Sequence, residues 1–431
     1  MRRLRRVVVV ACAVLAGCAG MLQRPAPDVA MSWRRATPVD GAVRVGSAER
    51  DVTPPVGAWL AGFAPGRAST RVAEPLKARV LVLAVGERRF AIVGIDNLGF
   101  LREDVDWIKQ GLPGFALGDV FVCASHTHAG PDALGLWGKL LRTSGRDPAY
   151  VAQVRAAVAV ATAEALAAAV PAAFVHGESH LPAEGLVKNV NRRGVFDRRV
   201  VVLHARALAD GRPVGTLLHL ACHPEVRPRG DTSLSADFVG PLCDQWRARG
   251  HGQAVFVNGA LGALVSPAVE PRDAVGVAAF GARACDVAEA ALRTAEPLPV
   301  DAIEVARADV YLPLRTTGFR LGRLTTVLPR ETHAGAARST VGWLRLGGFE
   351  AVAIPGEIEP VFAEELRIAL RKPRLVVFGL CDDEVGYLLR GVDAVDPGFA
   401  YERSMSACRD AGERVRAAVV GVSTAAAAAP R

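Results

Sequence analysis

The chain has 431 residues, 51% of them apolar and 22% charged, which supplies a substantial core and excludes a disordered chain. The formal charge of +8 shrinks to 48 basic against 44 acidic side chains once residues 1–17 are set aside. No Lys/Arg cluster is interleaved with aromatics, so nucleic acid is not an expected partner.

The opening "MRRLRRVVVVACAVLAGCAG" has a basic head, an apolar stretch and small residues before a cut, the three parts of a secretory signal. That stretch is too short for a mature membrane-spanning helix. It ends in "LAGC", which resembles the bacterial lipobox and implies cleavage before Cys18 and lipidation of its thiol. The alternative is a secreted chain cut at a neighbouring small residue. Either way the protein is expected to be exported, and with the lipid it is anchored to a cell-envelope membrane. Residues 19–40 carry Pro and polar residues without a period and read as a tether. The expected organisation is a signal over 1–17, lipidated Cys18 and tether over 18–42, one domain over 43–422 and a low-complexity tail over 423–431.

Past Val43, short apolar runs alternate with helical patterns. "ARVLVLAV", "RFAIVGID" and "GDVFVCAS" read as strands. Asp147-Pro148 predicts the start of an alanine-rich helix, with Asp147 as N-cap and Pro148 at its first position, ended by Pro171. Later strands are expected at "RVVVLHA", "GTLLHLA", "QAVFVN", "GFEAVAI" and "RLVVFGL". Helices are expected after "SADFVG", over 271–294 and over 360–370. No linker or repeat splits the chain. The expected fold class is α/β, mixed β-sheets flanked by α-helices in a single large domain. Six cysteines beyond Cys12 and Cys18 are scattered without a CxxC pair, and their pairing cannot be read from sequence.

Several of these runs deliver polar groups at their ends. "FVCASHTHAGPD" places His126 and His128 two apart, and residues two apart on a strand share a face. "GTLLHLACHPE" delivers His223, "FEAVAIPGEIEP" delivers Glu357, and "RLVVFGLCDDEVGY" delivers Asp382, Asp383, Glu384 and Tyr387. Strand ends are where open α/β sheets build sites, and two histidines with a carboxylate suit a catalytic zinc. Taken singly, each has a bland reading: His223 bonded to a backbone carbonyl, Glu357 capping the next helix, Arg192 solvated, Tyr387 and Tyr401 at a core edge. His176, His180, His204, His219, His251 and His333 match no such block and read as structural.

Together the blocks are similar to the catalytic domain of the neutral/alkaline, non-lysosomal ceramidase family. "VGSAERDVTPPVGAWLAGFA", "SHTHAGP", "NVNRR", "CHPEV…LSADFVG", "PGEIEPVFAEELR" and "GLCDDEVGYLL…YERSMS" resemble family motifs, in family order, from about residue 43 to 406. The resemblance implies a zinc ion held by His126, His223, Glu357 and Tyr387. It further implies His128 as a donor or proton shuttle, Arg192 on the amide oxygen or departing carboxylate, and Tyr401 on the oxyanion. The implied activity is hydrolysis of the N-acyl bond of ceramide-like lipids, with an amphiphilic N-acyl lipid as partner.

The sequence departs from the family at one block. Where the family has Gly-Asp-Val-Ser-Pro-Asn, this chain reads "NGALGALVSPAV". Ungapped, Ala263 replaces the aspartate and Val265 the serine. One inserted residue recovers Ser266-Pro267 but not the aspartate. A serine nucleophile needs a base beside it, and none stands nearby in sequence. A zinc-activated water tolerates the change better. Two alternatives follow: a lipid- or ligand-binding lipoprotein of the same fold, or a zinc hydrolase acting on another amide or ester.

Overall fold

The computed structural model describes residues 31–139, 143–182, 184–324 and 327–428. The expected signal, Cys18 and the first part of the tether lie outside the described residues. In chain order the principal strands are β1 (Met31–Pro38), β2 (Arg44–Asp51), β3 (Lys77–Val85), β4 (Arg88–Ile95), β5 (Val120–Ala124), β6 (Val170–His180), β7 (Arg199–Ala207), β8 (Pro213–Leu220), β9 (Ala254–Asn258), β10 (Ala302–Pro313), β11 (Ala336–Leu346), β12 (Phe349–Ala353) and β13 (Val376–Phe378). The helices are α1 (Arg102–Gln110), α2 (Pro148–Ala167), α3 (Val239–Trp246), α4 (Ala274–Arg293), α5 (Thr317–Leu324), α6 (Pro360–Leu370), α7 (Ala400–Ser404) and α8 (Ala411–Ala428). None of them is long and apolar enough to cross a membrane.

Two mixed sheets carry the architecture. The larger runs β9-β8-β7-β6-β2-β3-β4-β5, with Glu296–Leu298 added to β6; the smaller runs β1-β10-β11-β12-β13, with Thr332–His333 added to β11. The sheets pack face to face, and the period-2 alternation of their strands fills both sides. In β3, Leu81 and Leu83 enter the layer between the sheets, while Val80 and Val82 turn outward beneath α2. In β11, Leu344 and Leu346 face the shared layer, and Val341 and Trp343 face α6 and α8. The result is an α/β domain with helices over the outer faces of two stacked sheets.

Asp147 caps α2 through its side chain, accepting from Ala149 N at 2.9 Å, with Pro148 in the first turn. The helix stops at Ala167, however, and Pro171 belongs to β6. Two terminal expectations are corrected. Residues 31–38, expected in the tether, form β1, an edge strand antiparallel to β10 from Met31↔Ala308 to Pro38↔Ala302. Residues 423–428, expected in the tail, complete α8, whose Val415, Val419, Val422 and Ala426 repeat at helical spacing and are buried. Alanine is the strongest helix former, so this segment needed only a surface to pack on.

Within the two large sheets, the pairs β4/β5, β8/β9 and β12/β13 are parallel. Each requires a crossover, supplied by α1, α3 and α6 respectively. Past their carboxyl ends the two sheets are tied together. Ala124 N donates to Leu380 O at 3.0 Å, Asp382 N to Val122 O at 2.7 Å and Gly379 N to Asn258 O at 2.9 Å. Cys123 and Cys381 face each other across an isolated bridge as free thiols, and Cys222, Cys243, Cys285 and Cys408 are also free and buried.

Candidate metal centre

The loops leaving β5, β8, β12 and β13 converge at this tie. His126 and His128 do not share a site through a strand's pleat, because β5 ends at Ala124. His126 instead adopts φ 71°, a left-handed conformation costly for a side chain of its size, and its N–H donates to Asn97 O at 2.8 Å. Asn258, at the end of β9, holds two of these loops at once. Its Nδ2 donates to Ser125 O and to Cys222 O, each at 2.8 Å. Glu357 follows Gly356, which has φ 140° and packs so closely that a Cβ would lie 2.6 Å from Gly386 O. Glu357–Ile358 then pairs in parallel with Tyr387–Leu388, setting Glu357 opposite Tyr387. Glu357 does not cap α6; the N-cap position is Glu359, whose side chain makes no capping bond.

The rings of His126, His128 and His223 stack edge-on, with centroids 4.9–5.4 Å apart. All three are buried, and their ligand atoms lie within 4.8 Å of one another. His126 Nδ1 lies 2.8 Å from Leu98 O and His223 Nδ1 lies 2.9 Å from Val265 O. A carbonyl only accepts, so both Nδ1 atoms carry a proton and both Nε2 lone pairs face inward. There they meet Glu357 Oε2, 3.0 Å from His223 Nε2 and 3.4 Å from His126 Nε2. His126 Nε2 is buried without a hydrogen-bond partner. Two lone pairs and a carboxylate converging in a dry site repel unless a cation lies among them. Protons on the two imidazoles serve as such a cation in the absence of a metal: burial alone raises the Glu357 carboxyl, but attraction to His126 and His223 in their protonated forms outweighs it and holds Glu357 well below the ordinary range. The donor set and the backbone-anchored tautomers therefore fit a zinc ion.

Around this centre, His128 is pushed well down by burial and then by His126 and His223, so it is neutral. Gly62 abuts its ring; a Cβ there would lie 2.4 Å from His128 Cγ. His128 Nδ1 faces Glu225 Oε2 at 3.4 Å, and Ser266 Oγ donates to Glu225 Oε1. The structure thus brings a carboxylate to Ser266 that the sequence did not place there. Its only local signal is the His223-Pro224-Glu225 spacing. Tyr387 is buried, and burial followed by the charge of Glu357 pushes its phenol well up. Tyr401 is half exposed, its ring 6.2 Å from that of Tyr387. Arg192 is ion-paired with Asp393 and packs over Phe399 at 5.5 Å, outside the lining of the cavity.

A cavity at this point joins His126, His128, Glu357, Tyr387 and Tyr401 to an apolar wall. The structural histidines sit elsewhere: His219 Nε2 lies 2.9 Å from Val377 O, His204 Nδ1 2.7 Å from Thr216 Oγ1 and His251 Nε2 2.7 Å from Glu289 Oε1.

No family model and no curated protein matches the sequence. Among solved structures, the crystal structure of neutral ceramidase from Pseudomonas aeruginosa superposes with TM-score 0.70 over 90% of this chain and 74% of that one, at 15% identity. A ceramidase complexed with C2 gives TM-score 0.72 over 90% and 75%, also at 15% identity. A likeness at that identity is one of architecture: the chain has the fold of neutral ceramidase.

Proposed function

We propose that this protein is a zinc-dependent amide hydrolase that cleaves the N-acyl bond of ceramide-like lipids to a fatty acid and an amine. The observation that carries the reading is the convergence of two backbone-anchored imidazoles on the Glu357 carboxylate, inside a fold shared with ceramidases. His126, His223 and Glu357 would hold the zinc, with Tyr387 beside Glu357. When bound, the ion supplies a polarised carbonyl and a more acidic water, both of which a poorly electrophilic amide needs.

The chain's own residues divide the remaining tasks. The apolar wall takes the lipid's hydrocarbon and excludes water. His128 is neutral with Nδ1 turned toward Glu225, so its Nε2 is left to take and return a proton at the scissile amide. Tyr401 would donate to the developing oxyanion from the mouth of the cavity. Ser266 is buried and tied to Glu225, which suits support of His128 better than nucleophilic attack. Arg192 would reach a departing carboxylate only by leaving Asp393. A lipid on Cys18 would keep the enzyme at an envelope membrane, beside amphiphilic substrate.

The test is incubation of the protein starting after Cys18 with ceramide and with other N-acyl amides and esters, with and without chelator. Chelator-sensitive release of fatty acid from ceramide supports the reading, and release only from other substrates reassigns the hydrolase. A second reading, lipid binding without turnover, is favoured by Ala263 standing where the family has an aspartate. Bound ceramide left intact by the zinc-loaded protein identifies it.

A further inference from the structure

Glu384 is a carboxyl group that the tasks above leave unused. It is only 5% exposed and lines the cavity shared with His126, Glu357 and Tyr387. Its backbone is fixed on both sides: Glu384 N donates to Asp383 Oδ1 at 2.8 Å, and Arg330 Nη2 donates to Glu384 O at 2.7 Å. Gly99 presses on its side chain, since a Cβ at that position would lie 2.6 Å from Glu384 Cβ. Oε1 accepts from Gly386 N at 2.7 Å. Oε2 is buried and has no hydrogen-bond partner among the described residues.

Arg330 does not compensate this oxygen. Its guanidinium grips both oxygens of Asp383, at 2.7 and 2.8 Å, Nη2 also donates to the Glu384 carbonyl, and no hydrogen bond runs from it to Glu384 Oε2. Apart from the residues of the metal centre and Tyr401, the wall is apolar, with Leu98, Leu134, Trp137, Phe319, Leu328 and Met405. A buried oxygen without a partner is costly, and such groups are characteristically paired. The cavity's other polar groups belong to the candidate metal centre or, in Tyr401, to its mouth, which leaves what the cavity binds to supply the partner. An alcohol meets the requirement in either charge state of the carboxyl, donating to a carboxylate or pairing with an acid.

We propose that Glu384 is a specificity-determining residue whose Oε2 selects amphiphiles carrying a hydroxyl group close to the scissile amide. This deepens the amidase reading and rests on it for the position of the amide, but the binding preference itself does not depend on turnover.

The experiment compares an N-acyl amino alcohol with the same molecule in which each hydroxyl in turn is replaced by hydrogen. Affinities are measured by calorimetry on chelator-treated full-length protein, and kcat/KM on the zinc-loaded protein. The expected result is that one deoxy compound binds the wild type at least about tenfold more weakly. Glu384→Leu should bind both compounds alike, and Glu384→Gln, which keeps a donor and an acceptor of similar size, should retain most of the preference. Equal binding of hydroxyl and deoxy ligands by wild type, or an unchanged preference in a folded Glu384→Leu, overturns the proposal even if hydrolysis is observed. A Glu384-dependent preference without any hydrolysis sustains it while removing the amidase reading. If Glu384→Leu does not fold, Gly99→Ala, which displaces the Glu384 side chain, takes its place under the same criteria.

Discussion

His223 Nε2 and Glu357 Oε2 lie 3.0 Å apart, both buried, although 134 residues separate them in sequence. Both groups are anchored by the surrounding structure. His223 Nδ1 is anchored on Val265 O, and Glu357 is fixed by its strand pairing opposite Tyr387. An approach this close between a lone pair and a carboxylate makes cation occupancy the controlling variable of the site.

Elemental analysis of the wild type should find about one zinc per chain, and His126→Ala and His223→Ala should each lose it. Zinc binds the folded state, so excess zinc should raise the wild-type unfolding temperature and leave both variants unmoved. A folded wild type without zinc would mean that the donor set holds only protons.

Glu225→Gln should lower kcat by about 10–100-fold, the usual cost of removing the partner that orients a histidine, with zinc content and KM nearly unchanged. Ser266→Ala should lose less than that, because Ser266 acts on His128 only through Glu225. A loss of more than about 1000-fold in Ser266→Ala, with zinc retained, would instead make the serine the nucleophile.

Asp383 and Arg330 form a buried bidentate pair, with Ser339 Oγ adding a bond at 2.6 Å to Asp383 Oδ2. Asp383→Ala leaves the guanidinium buried and uncompensated and should reduce unfolding stability by about 3–5 kcal/mol. Denaturant titration of the metal-free protein measures this apart from any effect on zinc.

His219 is fully enclosed. Burial and then the nearby Arg199 and Arg367, against the opposing Asp197, lower it to about 4. Between its unfolded value of about 6.5 and that point, the unfolded chain binds the extra proton, so stability rises with pH across this window. Acidification from pH 7 to 4.5 should remove on the order of 2–3 kcal/mol through this residue. His219→Gln, which keeps a donor for Val377 O, should flatten that part of the pH–stability curve. An unchanged slope would show that His219 does not titrate on unfolding.

Gly62→Ala should impair turnover without removing zinc. The position has φ 95°, and the added methyl would press on His128 rather than on His126 or His223. Loss of zinc in parallel with activity would contradict that separation.

Local pattern alone determined much of the scaffold. Alternating or continuous apolar runs marked β3, β4, β5, β7, β8, β9, β12 and β13, and Asp147-Pro148 marked the start of α2, because pleat, capping and proline geometry act within a few residues. The family resemblance of the ordered blocks, not local pattern, singled out His126, His223 and Glu357, whose side chains lie together in the fold. What tertiary structure decided acts over long separations. His126 reaches the site through a left-handed turn held by Asn97 and Asn258, not through the strand period that first suggested it. Glu225 meets Ser266 across 41 residues, and Glu384 keeps one bare oxygen while Arg330, 54 residues away, pairs with Asp383 and the Glu384 carbonyl. The strand character of residues 31–38 comes from β10, some 270 positions later. Such pairings are fixed by which surfaces the folded chain brings into contact, and no window of adjacent residues contains that information.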